Sequence, residues 1–455
     1  MERETFFTHD KAFYKAFFSM MAVVALQNLV AYSGNMNENI ILGSYSQEAL
    51  SGAATVNQIF FMVQQFSISF CNALVAIAAQ YWGQGRPEPV RVLLGIALKL
   101  ALVVGVVLVA VCVLFPAQLV GLFTTSETIV EQGCAYLRII CWTFPLYFAS
   151  QLLMAALRVV GTVRISFFIS LVSLVVDTGA TYLLVFGKLG LPELGIVGAG
   201  LGTVIGRALE LGIAVVYVAS FERKISYFGP GLLRRNAALA RDYLKIYAPI
   251  FVASVVWGIS VPIQTAILGH LSDDAIAANS VATTFYQYLK VVVQAMSSTS
   301  AVLIGQAVGR GDEARVREQA RTMAALDVGV GAGLALLLVA LKDPLLSLYS
   351  LSASATELAG TLILIMAVVM LGMSYQMPVS FGIMQGAGDA TFIMKVNMVS
   401  TWLIVLPLSF AAAFWWELPV PAVVAIVQSD QVFKCLPVFL HFRSYTWMKK
   451  LTREE

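Results

Sequence analysis

The sequence has little charge. Only 12% of its 455 residues are Asp, Glu, Lys or Arg, whereas a soluble protein carries about 25%. Hydrophobic residues make up 59% of the chain, and the mean hydropathy is +0.82. This composition excludes an ordinary soluble domain, and the long apolar runs predict a mostly helical integral membrane protein.

Residues that carry catalytic or metal chemistry are also scarce. There are five cysteines and three histidines, without a CxxC or another metal-ligand spacing. No nucleophile–base pattern occurs, so an enzyme is not expected. No Walker-type lysine loop is present, and the glycines between Gly195 and Gly206 follow no strand. They lie in an apolar run, where small residues allow close helix packing, so no nucleotide site is predicted.

Charged, Gly-rich and Pro-rich stretches divide the chain into twelve apolar runs. Most of them exceed the ~20 residues that a helix needs to cross a bilayer. We therefore expect an all-α fold of twelve transmembrane helices. The runs cover residues 14–42, 52–81, 92–115, 133–157, 165–187, 196–220, 243–269, 279–308, 318–341, 357–384, 392–415 and 421–443.

Basic residues mark one side of the membrane. The loops on the side of the two termini contain many of them, including Arg86, Arg158, Arg164, Arg234, Arg241, Arg310, Arg315, Lys449 and Lys450. The opposite loops contain acidic residues but only Lys188 and Lys342 as bases. Because short cytoplasmic loops are enriched in Lys and Arg, both termini are predicted to be cytoplasmic, in the cell membrane.

An internal repeat relates the two halves of the sequence. Residues 79–85 recur as 305–311 and Arg91 recurs as Arg317, all at the same offset. Because each half has six spans, the two repeats have the same orientation in the membrane, a pattern that is typical of alternating-access carriers. The alternative is a duplicated scaffold without motion. The predicted domains are an N-terminal six-helix lobe at 1–220, a basic cytoplasmic linker at 221–245 and a C-terminal six-helix lobe at 246–455.

A polar stretch, Asn35 to Asn39, interrupts the first apolar run. In a helix, Asn35, Glu38 and Asn39 lie on one face. A carboxylate within a membrane span normally faces a cavity or a polar partner. The stretch is therefore either a hydrogen-bonded clamp between helices or a site for a proton or cation.

A second acid, Asp177, lies in the fifth run, with Thr181 one turn later and Thr203 in the sixth run. We expect these residues and Glu38 at a similar depth, with no basic residue of the first half at that level. Two neighbouring carboxylates in apolar surroundings resist ionising together. Such a pair can hold a proton or a hard cation such as Na⁺, although a packing role for Asp177 is also open.

The second half lacks this pair, since Gln264 stands at the position equivalent to Glu38. Its apolar runs contain four other charged residues: Lys290, Asp327, Asp430 and Lys434. The last two are four residues apart on one helix and are expected to form an ion pair. The first two either pair with each other or face a cavity.

Several stretches together resemble the multidrug and toxic compound extrusion (MATE) family over nearly the whole chain. These are Ala25–Leu29, Leu42-Gly43 with Glu48–Leu50, Ala54–Ile59, Gln80–Gly85 and Tyr182–Gly187. The resemblance implies a secondary active exporter of organic cations or other amphipathic compounds, driven by Na⁺ or H⁺. It also implies two six-helix lobes around a central cleft.

The resemblance also suggests functional residues. Glu38 occupies a position where the family usually has Asp, Asp177 stands where Asn is common, and Thr181 stands where several members have an acid. Thr203 matches a family threonine. The predicted cation-coupling residues are Glu38, Asp177, Thr203, Thr181 and Asn35. The substrate-cleft candidates are Gln58, Asn57, Gln264, Lys290 and Asp327.

These observations predict an antiporter that exports small amphipathic or cationic compounds in exchange for H⁺ or Na⁺. The alternative is a flippase for lipid-linked oligosaccharides, which would need several basic side chains in its cleft. We expect a monomer in the lipid bilayer, with an organic substrate, no nucleic-acid partner, no metal site and no cofactor other than the coupling ion.

Overall fold

A computed structural model describes residues 7–222, 224, 234, 236–269, 273–347, 349 and 352–453. This part of the chain is helical and contains no β-strand. The first half contains α1 (Lys11–Tyr45), α2 (Gln47–Gly83), α3 (Pro87–Leu114), α4 (Pro116–Gly121), α5 (Glu127–Ile140), α6 (Thr143–Val159), α7 (Arg164–Phe186) and α8 (Gly195–Ser220). The second half contains α9 (Ala237–Gly269), α10 (Asp273–Arg310), α11 (Glu313–Leu346), α12 (Ala353–Met377), α13 (Ala390–Met398), α14 (Leu406–Phe410), α15 (Val420–Gln428), α16 (Asp430–Phe433) and α17 (Cys435–Ser444).

The helices confirm the predicted membrane fold. Within the described residues, eleven helical segments are long and apolar enough to cross a membrane. The predicted run 133–157 corresponds instead to the pair α5 and α6, which is bent by 48° at a short break. Counted as one span, this pair raises the number to twelve, as the sequence predicts.

The structure divides into two compact units. Unit 1 consists of Met1–Ala25 and Ala248–Glu455, and unit 2 consists of Leu26–Tyr247. Both boundaries therefore fall within long helices, α1 and α9. The lobe boundaries predicted from the sequence stay a prediction. Of the 25 residues of the predicted linker 221–245, 11 lie outside the described residues, and residues 237–245 belong to α9.

Glycines set the spacing between α7 and α8 in unit 2. A Cβ atom on Gly198 would lie 2.6 Å from the carbonyl carbon of Leu184, and one on Gly206 would lie 2.6 Å from Cβ of Asp177. Since real Cβ atoms do not approach so closely, only glycine allows this helix contact. The predicted packing role of these glycines is confirmed, and it brings the polar residues of the two helices together.

Unit 1 has an apolar core and irregular helices. Tyr286, Met366, Met370 and Val424 belong to one cluster of buried side chains between α10, α12 and α15. Three π-helical segments interrupt the regular helices, at Pro378–Met384, Val399–Val405 and Ala411–Trp415. Proline lacks the backbone N–H that an α-helix requires, and the first of these segments begins at a proline.

The chain after α17 packs against the turn before α13. The Asp389 carboxylate caps α13 by accepting a hydrogen bond from the Phe392 N–H. It also binds Lys449 Nζ at 2.7 Å and His441 Nε2 at 2.8 Å, and its side chain is only 4% exposed. Burial alone would raise the pKa of the Asp389 carboxyl, but the hydrogen bonds from Lys449 and His441 and the Lys449 charge outweigh burial and lower that pKa.

The lowered pKa predicts how the stability of this contact depends on pH. A carboxyl whose pKa is lower in the folded state contributes stability above its unfolded pKa of about 3.9, and this is lost as pH falls through the folded value. We expect Asp389→Asn to lower the apparent melting temperature at pH 7 by about 2–4 °C. The difference from the wild-type protein should shrink below about pH 4.

The matched control is Asp312→Asn. Asp312 caps α11 by accepting from the Arg315 N–H at 3.0 Å, and no ion pair of its carboxylate occurs among the described residues. Thermal unfolding in detergent, followed by intrinsic fluorescence, should show little change for this variant. Equal losses in both variants would mean that capping, and not the two basic partners, accounts for the effect.

Candidate functional site

Glu38 lies on α1 and has a buried partner on α5. Its Oε1 atom accepts a hydrogen bond from the Tyr136 hydroxyl. The Tyr136 side chain is fully buried, so this hydroxyl has a fixed position inside unit 2. A carboxylate on a membrane helix needs such a polar neighbour because lipid cannot provide one.

Asp177 lies close to Glu38, on α7. The Thr181 hydroxyl, one turn later, donates to Asp177 Oδ1 at 3.3 Å, and Thr203 on α8 is a second hydroxyl partner of this carboxyl. Glu38 and Asp177 are near enough for their charges to interact. The structure thus brings together four of the five residues predicted for cation coupling: Glu38, Asp177, Thr181 and Thr203.

The fifth residue, Asn35, is not part of this cluster. Its side chain is exposed. Its neighbour Asn37 instead faces α7 and donates a hydrogen bond from Nδ2 to Thr178 Oγ1 at 3.2 Å. The two positions are separated by about half a helical turn, so a polar stretch alone does not show which amide faces the neighbouring helix.

The expectation that no basic residue lies near the two acids is wrong. Arg207 on α8 interacts electrostatically with both Asp177 and Glu38. It forms an ion pair with Glu210 one turn later, at 2.6 Å between Nη1 and Oε2, with exposed side-chain fractions of 22% and 2%. Its guanidinium also lies 5.0 Å from the centre of the Tyr147 ring.

The sequence contains a signal for this pair. Arg207 and Glu210 are three residues apart in the apolar run 196–220, a spacing that places them on one helix face. Gln151 on α6 donates to Glu210 at 3.5 Å, so that α6 also contributes to the cluster around α8. Glu38, Asp177, Glu210 and Arg207 together give three acidic groups and one basic group, an excess of negative charge.

This arrangement suits a proton or a hard cation. Glu210 pairs with Arg207, which leaves Glu38 and Asp177 with hydroxyl partners and without an ion pair among the described residues. The side chains that surround them offer oxygen atoms, from Tyr136, Thr181 and Thr203. Oxygen ligands favour hard cations over metals that prefer nitrogen or sulfur.

The substrate-cleft candidates are spread over both units. In unit 2, Asn57 is half-buried and Gln58 is exposed on α2. In unit 1, Gln264 on α9 is half-buried. Lys290 and Asp327 do not pair: Lys290 Nζ lies 5.3 Å from the centre of the Trp257 ring, whereas Asp327 is fully buried and neither of its oxygens has a hydrogen-bond partner among the described residues.

A second polar cluster lies in unit 1. Lys434 Nζ binds Asp430 Oδ2 at 2.7 Å, which confirms the ion pair expected from their spacing. Lys434 also donates to Asn397 Oδ1 at 2.9 Å. Gln431 donates to both Asp430 oxygens, at 3.0 and 3.1 Å, and itself accepts from Gln376 at 2.6 Å. The amide partners, which come from three different spans, are not predicted by the sequence.

Two packed helical units with buried charged clusters define a multi-pass membrane protein. The MatE family model matches residues 24–183 and 249–411, which is more than half of the chain. The chain therefore belongs to the MatE family, as its resemblance to that family predicted. Proteins of this family are transporters and not enzymes.

Known relatives match over most of their length. A Thermotoga maritima protein described as "Probable multidrug resistance protein NorM" is 23% identical over 431 residues, covering 94% of this chain and 92% of the relative. A Xylella fastidiosa protein of the same description is 26% identical over 384 residues, covering 83% and 81%.

Solved structures confirm the fold. The Vibrio cholerae MATE transporter VcmN in its bent form has a TM-score of 0.84 at 16% identity, over 95% of this chain and 97% of that one. A MOP superfamily transporter from Pyrococcus furiosus, whose binding pocket is described as having reverse polarity, has a TM-score of 0.85 at 14% identity, over 96% and 97%.

The Arg207–Glu210 pair generates a stability prediction. Removing one partner of a buried ion pair leaves an uncompensated charge, which costs roughly 3 kcal/mol. We expect Glu210→Gln to lower the free energy of unfolding by about this amount, measured as thermal unfolding in detergent. Adding Arg207→Gln to the same protein should restore part of the loss, because the unpaired charge is then gone.

The control is Glu313→Gln in the exposed pair with Arg317, whose side chains are 36% (Arg317) and 73% (Glu313) exposed. Such surface pairs contribute less than about 1 kcal/mol. A double variant that is no more stable than Glu210→Gln alone would show that the arginine charge is accommodated without Glu210.

Proposed function

We propose that this protein is a secondary active antiporter that exports small amphipathic or cationic organic molecules in exchange for H⁺ or Na⁺ by alternating access. Its place in the MatE family and its relatives described as multidrug resistance proteins support this function. The carrier acts as a monomer in the lipid bilayer, with no nucleic-acid partner and no cofactor besides the coupling ion.

The observation that carries the proposal is that Glu38 and Asp177 lie near enough inside one helical unit for their charges to interact. Two carboxylates close together in apolar surroundings repel each other when both are ionised. Binding one proton, or one Na⁺ between the carboxylate and hydroxyl oxygens, removes that repulsion. Thr181, Thr203 and the Tyr136 hydroxyl serve as neutral partners in both states.

Arg207 modifies this site. Its charge attracts both acids, and its guanidinium also forms a direct ion pair with a third acid, Glu210. The site therefore keeps its excess negative charge and can still bind a cation. A bound cation drives a conformational change only if the two states of the carrier bind it with different affinity.

In the proposed orientation, the protein lies in the cell membrane and both termini are in the cytoplasm. The loops on the side of the termini contain most of the Lys and Arg residues that flank the spans. The outer solution then supplies the coupling ion, and the substrate leaves in the opposite direction. The flippase alternative is not favoured, because the relatives reported above are described as multidrug resistance proteins.

The decisive variant is Glu38→Gln, which has the shape of the protonated acid but cannot ionise. We expect it to bind substrate while efflux driven by an H⁺ or Na⁺ gradient falls at least about fivefold, since the coupling free energy is lost. Asp177→Asn should have the same effect, but more weakly. Both are measured as gradient-driven dye efflux from proteoliposomes, with each gradient imposed separately.

The control is Glu131→Gln, which removes an exposed acid from α5, the helix that also contains Tyr136. Its efflux should equal that of the wild-type protein. If Glu38→Gln transports with unaltered ion dependence, Glu38 is a packing residue and the coupling site lies elsewhere in the chain.

A further inference from the structure

The charged groups around Asp430 in unit 1 do not balance. Lys434 and Asp430 form a buried ion pair, with side chains 3% and 9% exposed. Lys290 on α10 adds a second positive charge, near enough to Asp430 for their charges to interact. The group of Lys290, Lys434 and Asp430, which we call the lysine cluster, therefore has an excess of one positive charge.

The single acid of the lysine cluster is already occupied. Asp430 Oδ2 accepts from Lys434 and Gln431, and Oδ1 accepts from Gln431. Lys290 forms no ion pair within 4.0 Å in the part of the chain that the structure describes. Its ammonium is thus attracted to Asp430 at a distance but is not neutralised by it.

The described contact of Lys290 is with an aromatic ring. Its Nζ lies 5.3 Å from the centre of the Trp257 indole on α9. Such a cation–π contact offsets only part of the cost of holding a charged lysine in a membrane span. The Lys290 side chain is half-buried, so part of its surface can still be reached.

The other acid of these helices is no counter-charge for Lys290. Asp327 on α11 is completely buried, and its oxygens contact no basic group among the described residues. Tyr286, one helical turn before Lys290, donates its hydroxyl to Met373 Sδ at 3.1 Å. Among the described residues, Lys290 thus has no direct acidic partner.

We propose that Lys290 is a specificity-determining residue that binds the carboxylate of an amphipathic aromatic substrate, next to the Trp257 ring. The proposal rests on the proposed export function and adds a substrate class: molecules that carry a carboxylate, including zwitterions. A purely cationic substrate gains nothing from Lys290 and is repelled by it. The lysine thus selects for molecules with a free carboxylate over their esters.

The test compares two probes that differ only at this group. One is a rhodamine dye with a free carboxylate, and the other is its methyl ester. Dissociation constants are measured by fluorescence polarisation with the full-length protein in detergent, and efflux is measured from proteoliposomes. For Lys290→Gln we expect about tenfold or more weaker binding of the acid, with unchanged or tighter binding of the ester.

Three further variants make the result specific. Lys290→Arg retains the positive charge and should retain the preference for the acid. Lys290→Met is a second neutral variant in case Lys290→Gln does not fold. Lys395→Gln removes an exposed lysine of the same unit and should leave both dyes unaffected.

Several results would overturn the proposal. Equal weakening of both dyes, or no change in either, would give Lys290 a structural role only. The same loss of preference in Asp327→Asn would identify Asp327 as its partner in another conformation. An effect seen only in liposomes that contain phosphatidylglycerol would assign the lysine to a lipid phosphate.

The proposed function can fail independently of this inference. If the wild-type protein exports the ester but neither binds nor exports the acid, the export function stands and the role of Lys290 is overturned. If the wild-type protein neither binds nor exports either dye, both proposals are overturned.

Discussion

The cost of placing a charge inside a membrane governs this structure. A charged side chain in a span needs a partner within the protein, because lipid provides neither water nor hydrogen bonds. Arg207 with Glu210 and Lys434 with Asp430 meet this requirement through short ion pairs. The charged groups that we propose to bind a ligand are found among those without such a short ion pair.

Close helix packing brings the acids together. The glycines of α8 allow its backbone to approach α7, so that Asp177 and Thr181 lie against the α8 glycines on either side of Thr203. A methyl group at Gly206 would overlap Cβ of Asp177. In the sequence, these glycines could be mistaken for a nucleotide-binding pattern. In the structure, they are the reason that a polar cluster fits between two membrane helices.

The sequence predicts the features that depend on local spacing. Apolar run lengths predict the spans, and the four-residue spacing of Asp430 and Lys434 predicts their pairing. Contacts between distant residues were missed: Glu38 and Tyr136 are 98 positions apart, and no periodicity links them. Trp257 as the partner of Lys290 was missed for the same reason, whereas Arg207 was overlooked although it lies within an apolar run.

The two halves keep the same scaffold but differ in charge. Lys224 Nζ binds the Val160 carbonyl beside Gly161, and the Lys449 N–H binds the Ala387 carbonyl beside Gly388 in the corresponding turn. Both glycines have positive φ, 74° and 99°, which a side chain would strain. Packing that both repeats need has therefore persisted, whereas the polar residues have diverged. The cluster around Arg207 in unit 2 has an excess of acid and the lysine cluster of unit 1 an excess of base, which is why we propose a cation for the first and an anionic group for the second.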